Sequence, residues 1–297
     1  MSAILSAVLP VACIVFIGFF VEKTLHLDRS TLSRLTLFVF SPALIADAIY
    51  RTPLTKENAA ELFVAFTLVY LLLCVLSWGL GKVFKFPSVV QKSVIATTSF
   101  PNMGNMGLSV TFFAFGDAGL DRAVVVLIVC SVLVFSTGPA ILKGGGLFKA
   151  IGFTLKLPLI WAMLLGGVLR LLPFDLPFKL DEGLHVLAQG TIPMALLLLG
   201  MEIASAKFQL TLYEGAASLL RLVGGAIVAY LVATALGLTG LDWQVLILQS
   251  SMPAAVSSFL MVNEFGGDGV RTARVVMVST LMAFVTLPLV LWAISLN

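Results

Sequence analysis

Long apolar stretches recur along the whole chain, and most charged residues fall in the short connections between them. Each stretch approaches the ~20 apolar residues that an α-helix needs to cross a bilayer. The pattern therefore predicts ten membrane-spanning helices, numbered here as spans one to ten. They cover Ile4–Val21, Thr31–Tyr50, Leu62–Val83, Val90–Phe115, Ala123–Leu142, Ile151–Leu172, Leu184–Ile203, Tyr213–Leu236, Val245–Val262 and Val275–Ile294.

Spans four and nine are each interrupted by polar and small residues around a central proline. The first interruption covers residues 97–107 around Pro101, and the second covers residues 249–258 around Pro253. Proline breaks the ladder of helical hydrogen bonds, and backbone groups freed inside a bilayer must be satisfied by protein or by a water-filled cavity. A matched pair of interrupted helices therefore predicts a solute-binding site where the interruptions lie.

The composition excludes a soluble globular protein. Of the 297 residues, 60% are hydrophobic and 11% are charged, whereas soluble domains carry about 25% charged residues. The formal net charge of +3 is small and spread over the connections, which excludes nucleic acid as a partner. Cys13, Cys74 and Cys130 lie in apolar stretches, so we expect buried small side chains rather than a disulfide or a metal site. The predicted class is an all-α, polytopic protein embedded in a lipid bilayer.

The basic residues predict the orientation of the spans. Thirteen of the 18 Lys and Arg residues, Arg221 among them, fall in or beside the odd-numbered connections. Cytoplasmic connections are enriched in Lys and Arg. We therefore predict that the odd-numbered connections are cytoplasmic and that both termini face outward.

Four prolines recur in the second half of the chain at nearly constant offsets. The pairs are Pro10 with Pro158, Pro42 with Pro193, Pro101 with Pro253, and Pro139 with Pro288. We therefore predict two copies of a five-helix unit, in residues 1–147 and 148–297. Because five is an odd number, the second copy enters the bilayer from the opposite side, and such inverted repeats are typical of transporters that alternate access.

A Phe-Gly turn follows each interrupted span, at Gly116 and Gly266. Glycine suits the end of a helix, and Asp117 and Asp268 are placed to cap the helix that follows. The glycine-rich linker after Lys143 is expected to join the two repeats as a hinge.

The chemistry around the two breaks favours an anion. A half-helix that begins after a break carries roughly +0.5 charge at its N-terminus, and free N–H groups there bind anions without a buried basic residue. We expect no basic residue near either break, so a carboxylate is the natural guest. Amide and hydroxyl side chains add further hydrogen-bonding groups. The predicted substrate-binding residues are Pro101, Asn102, Asn105, Gln249, Ser250, Ser251, Pro253 and Ser257.

The run from Ser99 to Gly107 resembles the broken fourth helix of the auxin efflux carrier family, which includes PIN-type plant carriers and bacterial malate and malonate permeases. Pro101 and Asn102 match the family pattern, whereas Ser109 stands where the family often has proline. Residues 249–265 are similar to its broken ninth helix, and residues 275–288 to its tenth. The resemblance implies a bacterial, PIN-like transporter of small organic anions in the inner membrane.

The resemblance also implies the fold of bile-acid sodium symporters and some sodium/proton antiporters. In that fold, spans one, two, six and seven form a scaffold, and spans three to five and eight to ten form a mobile core. Spans four and nine cross at their breaks, and the core moves against the scaffold like an elevator. By this likeness Asn102 matches a substrate-contacting asparagine, and Pro101 and Pro253 match the crossover prolines. Apolar faces of the scaffold make a homodimer plausible.

Two acids inside the spans are candidates for coupling or gating, because intramembrane acids are commonly functional. They are Asp47 in span two and Glu202 in span seven, and a solvated position at the membrane interface is the other interpretation of both. Gln249 could bind a cation or satisfy the broken helix. No carboxylate lies within a turn of either proline, which favours proton coupling or uniport over sodium coupling. His26 and His185 have no partner at ligand spacing and are interpreted as loop histidines.

Three other classes remain as alternatives. The main one is a sodium-coupled organic-anion or bile-acid-type symporter. An intramembrane enzyme is disfavoured because no His-Glu-x-x-His pair and no nucleophile with a base is present, and a channel is disfavoured by the inverted repeat. We predict no catalytic residue, no metal and no cofactor. The sequence leaves open which acid is carried, whether malonate, malate or an auxin-like indole acid, and in which direction.

Overall fold

A computed structural model of the chain describes residues 2–25, 27–52, 55–143, 155, 157–171, 176–205 and 209–296. Within these ranges the structure is helical, with one isolated β-bridge between Pro101 and Ala254. His26 and the linker residues 144–146 lie outside the described residues. The helices are α1 (Ser2–Thr24), α2 (Arg29–Leu35), α3 (Ser41–Arg51), α4 (Lys56–Val83), α5 (Ser88–Ser99), α6 (Leu108–Lys143), α7 (Pro158–Leu171), α8 (Leu180–Gln189), α9 (Thr191–Ser205), α10 (Leu212–Leu219), α11 (Gly225–Ala235), α12 (Gly240–Ser250), α13 (Val256–Glu264) and α14 (Gly269–Ile294).

Three short π-helical segments interrupt these α-helices. Thr36–Phe40 joins α2 to α3, Met103–Gly107 leads into α6, and Leu220–Gly224 joins α10 to α11. A 3₁₀ turn, Pro177–Lys179, precedes α8. Single π turns often mark functional positions in helices, and all three segments recur in the site described below.

Seven helical stretches of the described chain are long and apolar enough to cross a membrane, and Pro158–Leu171 is a shorter apolar helix. The protein is therefore an integral, polytopic membrane protein. The ten-span topology and the inverted repeat stay predictions. Helices α5, α12 and α13, which are parts of spans four and nine, are each too short to cross a bilayer alone. The seven stretches are Ala7–Thr24, Arg29–Arg51, Glu57–Val83, Met103–Leu142, Pro177–Ser205, Leu212–Ala235 and Gly269–Ile294.

The expected breaks and turns lie where the sequence places them. Helix α5 ends at Ser99, two residues before Pro101, and α12 ends at Ser250, three residues before Pro253. Gly116, which bends α6, and Gly266, which follows α13, adopt positive φ values of 65° and 68°. The Asp268 carboxylate caps α14 by accepting a hydrogen bond from the Arg271 amide at 3.0 Å, as predicted.

A second helix cap lies near the beginning of the chain. The Asp28 carboxylate accepts hydrogen bonds from the amides of Ser30 and Thr31 at the start of α2. Hydrogen bonds from the Thr31 and Ser30 side chains hold the pKa of Asp28 below its usual value. The charge that results suits the positive end of a helix.

The helices pack extensively in two sets, which α1 joins by packing against α6. In the first, α1 packs along α9, and α3 packs along α7 and α8; in the second, α4 packs with α5, α6 and α11, and α14 packs with α10 and α13. Glycine permits the closest of these approaches, as in many membrane helix pairs. A Cβ atom on Gly200 of α9 would lie 2.0 Å from the Val15 carbonyl oxygen, and one on Gly18 of α1 would lie 2.2 Å from the Leu197 carbonyl oxygen.

Replacing Gly200 by alanine should destabilise the protein, because the added methyl group would collide with the α1 backbone. We expect a loss of about 1–3 kcal/mol, measured as a lower melting temperature in detergent. Gly167→Ala is the matched control, since no atom lies within 4 Å of its Cβ position. Equal melting temperatures for the two variants would contradict the close α1–α9 contact.

Candidate functional site

The two proline breaks meet and pair through their backbones. The Asn102 amide donates to the Pro253 carbonyl at 2.7 Å, and the Ala255 amide donates to the Phe100 carbonyl at 2.9 Å. This reciprocal pairing is the antiparallel bridge between Pro101 and Ala254. Backbone groups freed by proline cannot stay unpaired in an apolar interior. The breaks therefore satisfy one another, and the two interrupted helices are joined at their centres.

Three side chains satisfy further groups of the crossover. Ser279 of α14 accepts a hydrogen bond from the Ala254 amide at 3.2 Å, and Ser258 donates to the Phe100 carbonyl at 3.4 Å. The Asn102 side chain accepts from the Asn105 amide at 3.3 Å, as an N-cap does. The crossover is thus held by backbone and side chain together.

A buried arginine closes one side of the crossover. The Arg221 guanidinium donates to the carbonyl oxygen of Met252 at 3.1 Å, and also to those of Thr98 and Ser250. Its side chain is 0% exposed and lies in the π segment between α10 and α11. The prediction that no basic residue lies near the breaks was wrong. The assignment of Arg221 to a connection was also wrong, because Arg221 lies fully buried inside the helical stretch Leu212–Ala235. A single arginine inside an apolar span is itself a signal of function.

A cavity of about 280 Å³ lies on another side of the crossover. The crossover and α6 supply one part of the lining, and α2, α3, α7 and α9, with the π segment between α2 and α3, supply the other. Its lining residues are Ser33, Thr36, Leu37, Ser41, Ile45, Phe100, Pro101, Asn102, Met103, Gly104, Asn105, Leu127, Cys130, Ser131, Val134, Phe135, Leu159, Leu198, Glu202, Ala255, Val256, Ser257 and Leu260. This volume is at the small end of ligand pockets.

Four predicted site residues border this cavity: Pro101, Asn102, Asn105 and Ser257. Asn102 is only 5% exposed, and its Nδ2 group has no hydrogen-bond partner among the described residues. A buried amide donor without a partner is costly. Asn102 therefore presents an unpartnered hydrogen-bond donor at the cavity wall.

The other four predicted residues lie behind the cavity wall and contribute to the crossover itself. The Pro253 and Ser250 carbonyls accept the bonds described above, and the Ser251 hydroxyl donates to the Ile247 carbonyl at 2.6 Å. The Gln249 amide donates to the Thr111 hydroxyl at 2.9 Å, and its Oε1 atom has no partner among the described residues. None of the four is among the described residues that line the cavity.

The two candidate acids have different environments. Glu202 is half-buried and borders the cavity. Asp47 is buried outside the cavity, where its carboxylate pairs with Arg51 at 2.8 Å and with His185 Nδ1 at 2.8 Å. The interpretation of His185 as a loop histidine without an acidic partner was wrong, because His185 lies within α8 and contacts Asp47 from there. The described residues contain no group of three or more His, Cys, Asp or Glu side chains that could hold a metal ion.

Polar contacts differ at the two ends of the molecule. At one end Arg29 contacts Ser205 and pairs with Glu22 at 3.4 Å. Glu202 is one turn from Ser205, so the cavity extends toward this end. At the opposite end Arg51 pairs with Asp181 at 3.0 Å.

That opposite end also carries contacts that involve α6. Thr52 donates to the Asp121 carboxylate at 3.0 Å. Arg122 pairs with Asp242, which also accepts from the Asn58 amide at 2.8 Å. Charged and hydroxyl side chains thus join several helices at the end away from the cavity.

Interrupted, paired helices beside a solute-sized cavity define a membrane transporter. The family model described as "Membrane transport protein" matches residues 3–151 and 147–291. The chain belongs to this family, the auxin efflux carriers, as the motif around Pro101 predicted. Members of the family are transporters and not enzymes.

Three relatives align along nearly their whole length. An "Uncharacterized transporter" of Methanocaldococcus jannaschii is 24% identical over 97% of both chains. A protein of Rhizobium meliloti with the name "Putative malonate transporter" is 22% identical over 99% of this chain and 97% of its own. "Uncharacterized transporter YfdV" of Escherichia coli K12 is 25% identical over 95% of this chain and 94% of its own.

The crossover geometry predicts a steric effect at Gly107. A Cβ atom there would lie 2.3 Å from Gln249 Oε1, whereas one on Gly104 would meet only Leu127, at 3.9 Å. We expect Gly107→Ala to displace the Gln249 amide from Thr111 and to cost about 1–3 kcal/mol of stability. Melting temperatures in detergent should show this loss, with Gly104→Ala nearly unchanged.

A double variant identifies the clash directly. Shortening Gln249 to alanine removes the atoms that the new methyl group meets. Gly107→Ala should therefore cost much less in the Gln249→Ala background than in the wild type. Additive losses would contradict the proposed contact.

Proposed function

We propose that this transporter moves small organic carboxylates across the membrane and that it binds them in the cavity at the crossover. The observation that carries the proposal is the convergence of two helix beginnings and the unpartnered Asn102 amide on one cavity. The segment from Met103 and helix α13 both start there. A helix N-terminus attracts anions, and Asn102 offers a side-chain donor beside it.

Malonate is the first substrate to test. The chain aligns over nearly its whole length with a protein named "Putative malonate transporter", and a cavity of about 280 Å³ suits a small acid. Apolar lining residues such as Phe100, Met103 and Leu127 would contact the carbon body of the acid. Malate and indole acids share the carboxylate and belong to the same proposed class.

The position of the cavity supports an elevator-type alternation of access. One wall comes from the crossover and α6, and the other from α2, α3, α7 and α9, so the solute would be held between two sets of helices. We propose that the crossover and α6 belong to a mobile core and that α2, α3, α7 and α9, with α1, form a scaffold. We also propose that residues 1–147 and 148–297 are inverted repeats, which would supply two equivalent packings for the two access states.

The contacts at the two ends of the molecule support an assignment of the side of the membrane toward which the cavity opens. The cavity extends toward Arg29, while Arg51–Asp181 and Thr52–Asp121 contacts join helices at the other end. With the orientation predicted from the basic residues, the Arg29 end is cytoplasmic and the structure faces inward. We propose a location in a bacterial inner membrane with both termini outside. A homodimer through the scaffold is part of the same proposal.

Glu202 supplies a route to proton coupling. Its carboxylate borders the cavity that would receive a negatively charged solute. Two like charges in a medium of low dielectric repel each other strongly, so binding of the anion and protonation of Glu202 favour one another. Asp47 would act differently, as a gating group that ties α3 to α8 through His185.

Replacing Asn102 by alanine should weaken malonate binding roughly tenfold to a hundredfold, because a hydrogen bond to a charged group is lost. The measurement is the malonate-dependent rise in melting temperature of the purified protein in detergent. Asn263→Ala is the matched control, because Asn263 is exposed and is not among the residues that line the cavity. Wild-type affinity in a folded Asn102→Ala variant would argue against the site.

Replacing Glu202 by glutamine should remove a pH dependence of malonate binding. In the wild type, affinity should fall as rising pH ionises Glu202, because the ionised carboxylate repels the anion. The glutamine variant should lose the part of this fall that Glu202 causes. The titration of malonate itself is common to both proteins, so the difference between their pH profiles isolates Glu202. Parallel profiles would contradict the coupling role.

A further inference from the structure

The crossover contains negative helix ends as well as positive ones. Helices α5 and α12 end at the breaks, and each helix C-terminus carries a charge of roughly −0.5 on its free carbonyl groups. In transporters with broken helices, such carbonyls commonly bind a coupling sodium ion. The occupant of these carbonyls therefore bears on how transport is coupled.

In this chain the occupant is Arg221. The guanidinium donates to the Thr98 carbonyl near the end of α5 and to the Ser250 and Met252 carbonyls at the end of α12. Arg221 lies in the π segment between α10 and α11, 123 residues along the chain from Thr98. One side chain thus satisfies the C-terminal ends of both half-helices at once.

The residues around Arg221 leave room for its guanidinium in the protein interior. The side chain is fully buried, and no described carboxylate lies within ion-pair distance of its guanidinium. A Cβ atom on Gly225 would lie 2.2 Å from the Ser250 carbonyl oxygen and 2.5 Å from Arg221 Nη2. Glycine at this position therefore lets the guanidinium and the end of α12 meet. The positive charge is balanced by backbone carbonyls and not by an acid.

We propose that Arg221 is a tethered cation that occupies the position where the C-terminal ends of α5 and α12 would otherwise bind sodium, so that the anion site is charged without a coupling metal ion. This inference rests on the proposed function, because it concerns the charge of the same crossover. Arg221 is a positioning residue: it orients the half-helices and does not line the cavity.

The charges explain why a tethered cation matters to an anion. Four half-helix ends meet at the crossover, two positive and two negative, and their partial charges cancel. The guanidinium leaves the crossover with a net charge of about +1, while the positive helix beginnings face the cavity. A sodium ion at the same carbonyls would meet a positive charge in a medium of low dielectric. Sodium binding there and Arg221 therefore exclude each other.

The first experiment uses the wild-type protein and needs no substrate. Melting temperatures of the purified chain in detergent are compared in sodium, potassium and N-methylglucamine chloride at equal ionic strength. We expect the same value in all three salts. A saturable rise that is specific to sodium would overturn the proposal, because it would show a sodium site beside the tethered cation.

The second experiment removes the guanidinium from the C-terminal ends of α5 and α12. In Arg221→Ala, sodium or methylguanidinium chloride at millimolar concentration should raise the melting temperature above that in N-methylglucamine chloride. The control Arg271→Ala, which removes a partly exposed arginine, should show no such selectivity. A folded Arg221→Ala protein that responds to neither cation would overturn the proposal.

The third experiment tests whether the positive charge of Arg221 affects the affinity for an anion. Malonate affinity should fall at least about tenfold in Arg221→Gln, equal to one logarithmic unit of binding constant, and should stay within about threefold of wild type in Arg221→Lys, which keeps the charge. Equal losses in the two variants would assign Arg221 a role in packing alone. If Arg221→Ala does not fold, the wild-type salt comparison and the lysine variant still decide. If malonate binds neither the wild type nor any variant while the cation response persists, the proposed substrate is wrong and the tethered cation stands.

Discussion

The pairing of the two proline breaks is the constraint on which the rest of the site depends. Each proline leaves backbone groups that a bilayer cannot satisfy. The hydrogen bonds from Asn102 to the Pro253 carbonyl and from Ala255 to the Phe100 carbonyl remove that cost by joining the two breaks. Once they are joined, the ends of four half-helices are fixed within one small volume. Function follows from how those ends are distributed: the beginnings border the cavity, and the terminal carbonyls bind Arg221.

In the function that we propose, this distribution separates two tasks of a solute-binding site. Holding the interrupted helices together requires strong, permanent partners, which the buried guanidinium and Ser279 provide. Receiving a solute requires donors that stay available, which the Asn102 amide and the helix beginnings provide. The cavity is lined by the crossover and α6 and by α2, α3, α7 and α9, and the relative movement that we propose for these two groups of helices would expose it to either side. Glu202, on α9 of the proposed scaffold, carries a charge that such a movement would bring past the solute.

Much of this was predictable because it depends on residues that are close in sequence. The ends of α5 and α12, the positive φ of Gly116 and Gly266 and the cap at Asp268 all follow from local chemistry. The motif around Pro101 was specific enough to identify the family, which the family model confirms. The role of Asn102 remains a prediction, supported by its place at the cavity wall.

The sequence by itself determined that this protein is a membrane-embedded bundle with two interrupted helices, because hydropathy and proline act on the chain locally. Only the tertiary structure decided which polar residues meet. Arg221 bonds to Thr98 across 123 residues, and Asp47 meets His185 across 138. Side-chain identity alone could not separate Glu202, at the cavity, from Asp47, in an ion pair, because both are acids in apolar spans. Packing between distant helices made that choice, and periodicity carries no information about it.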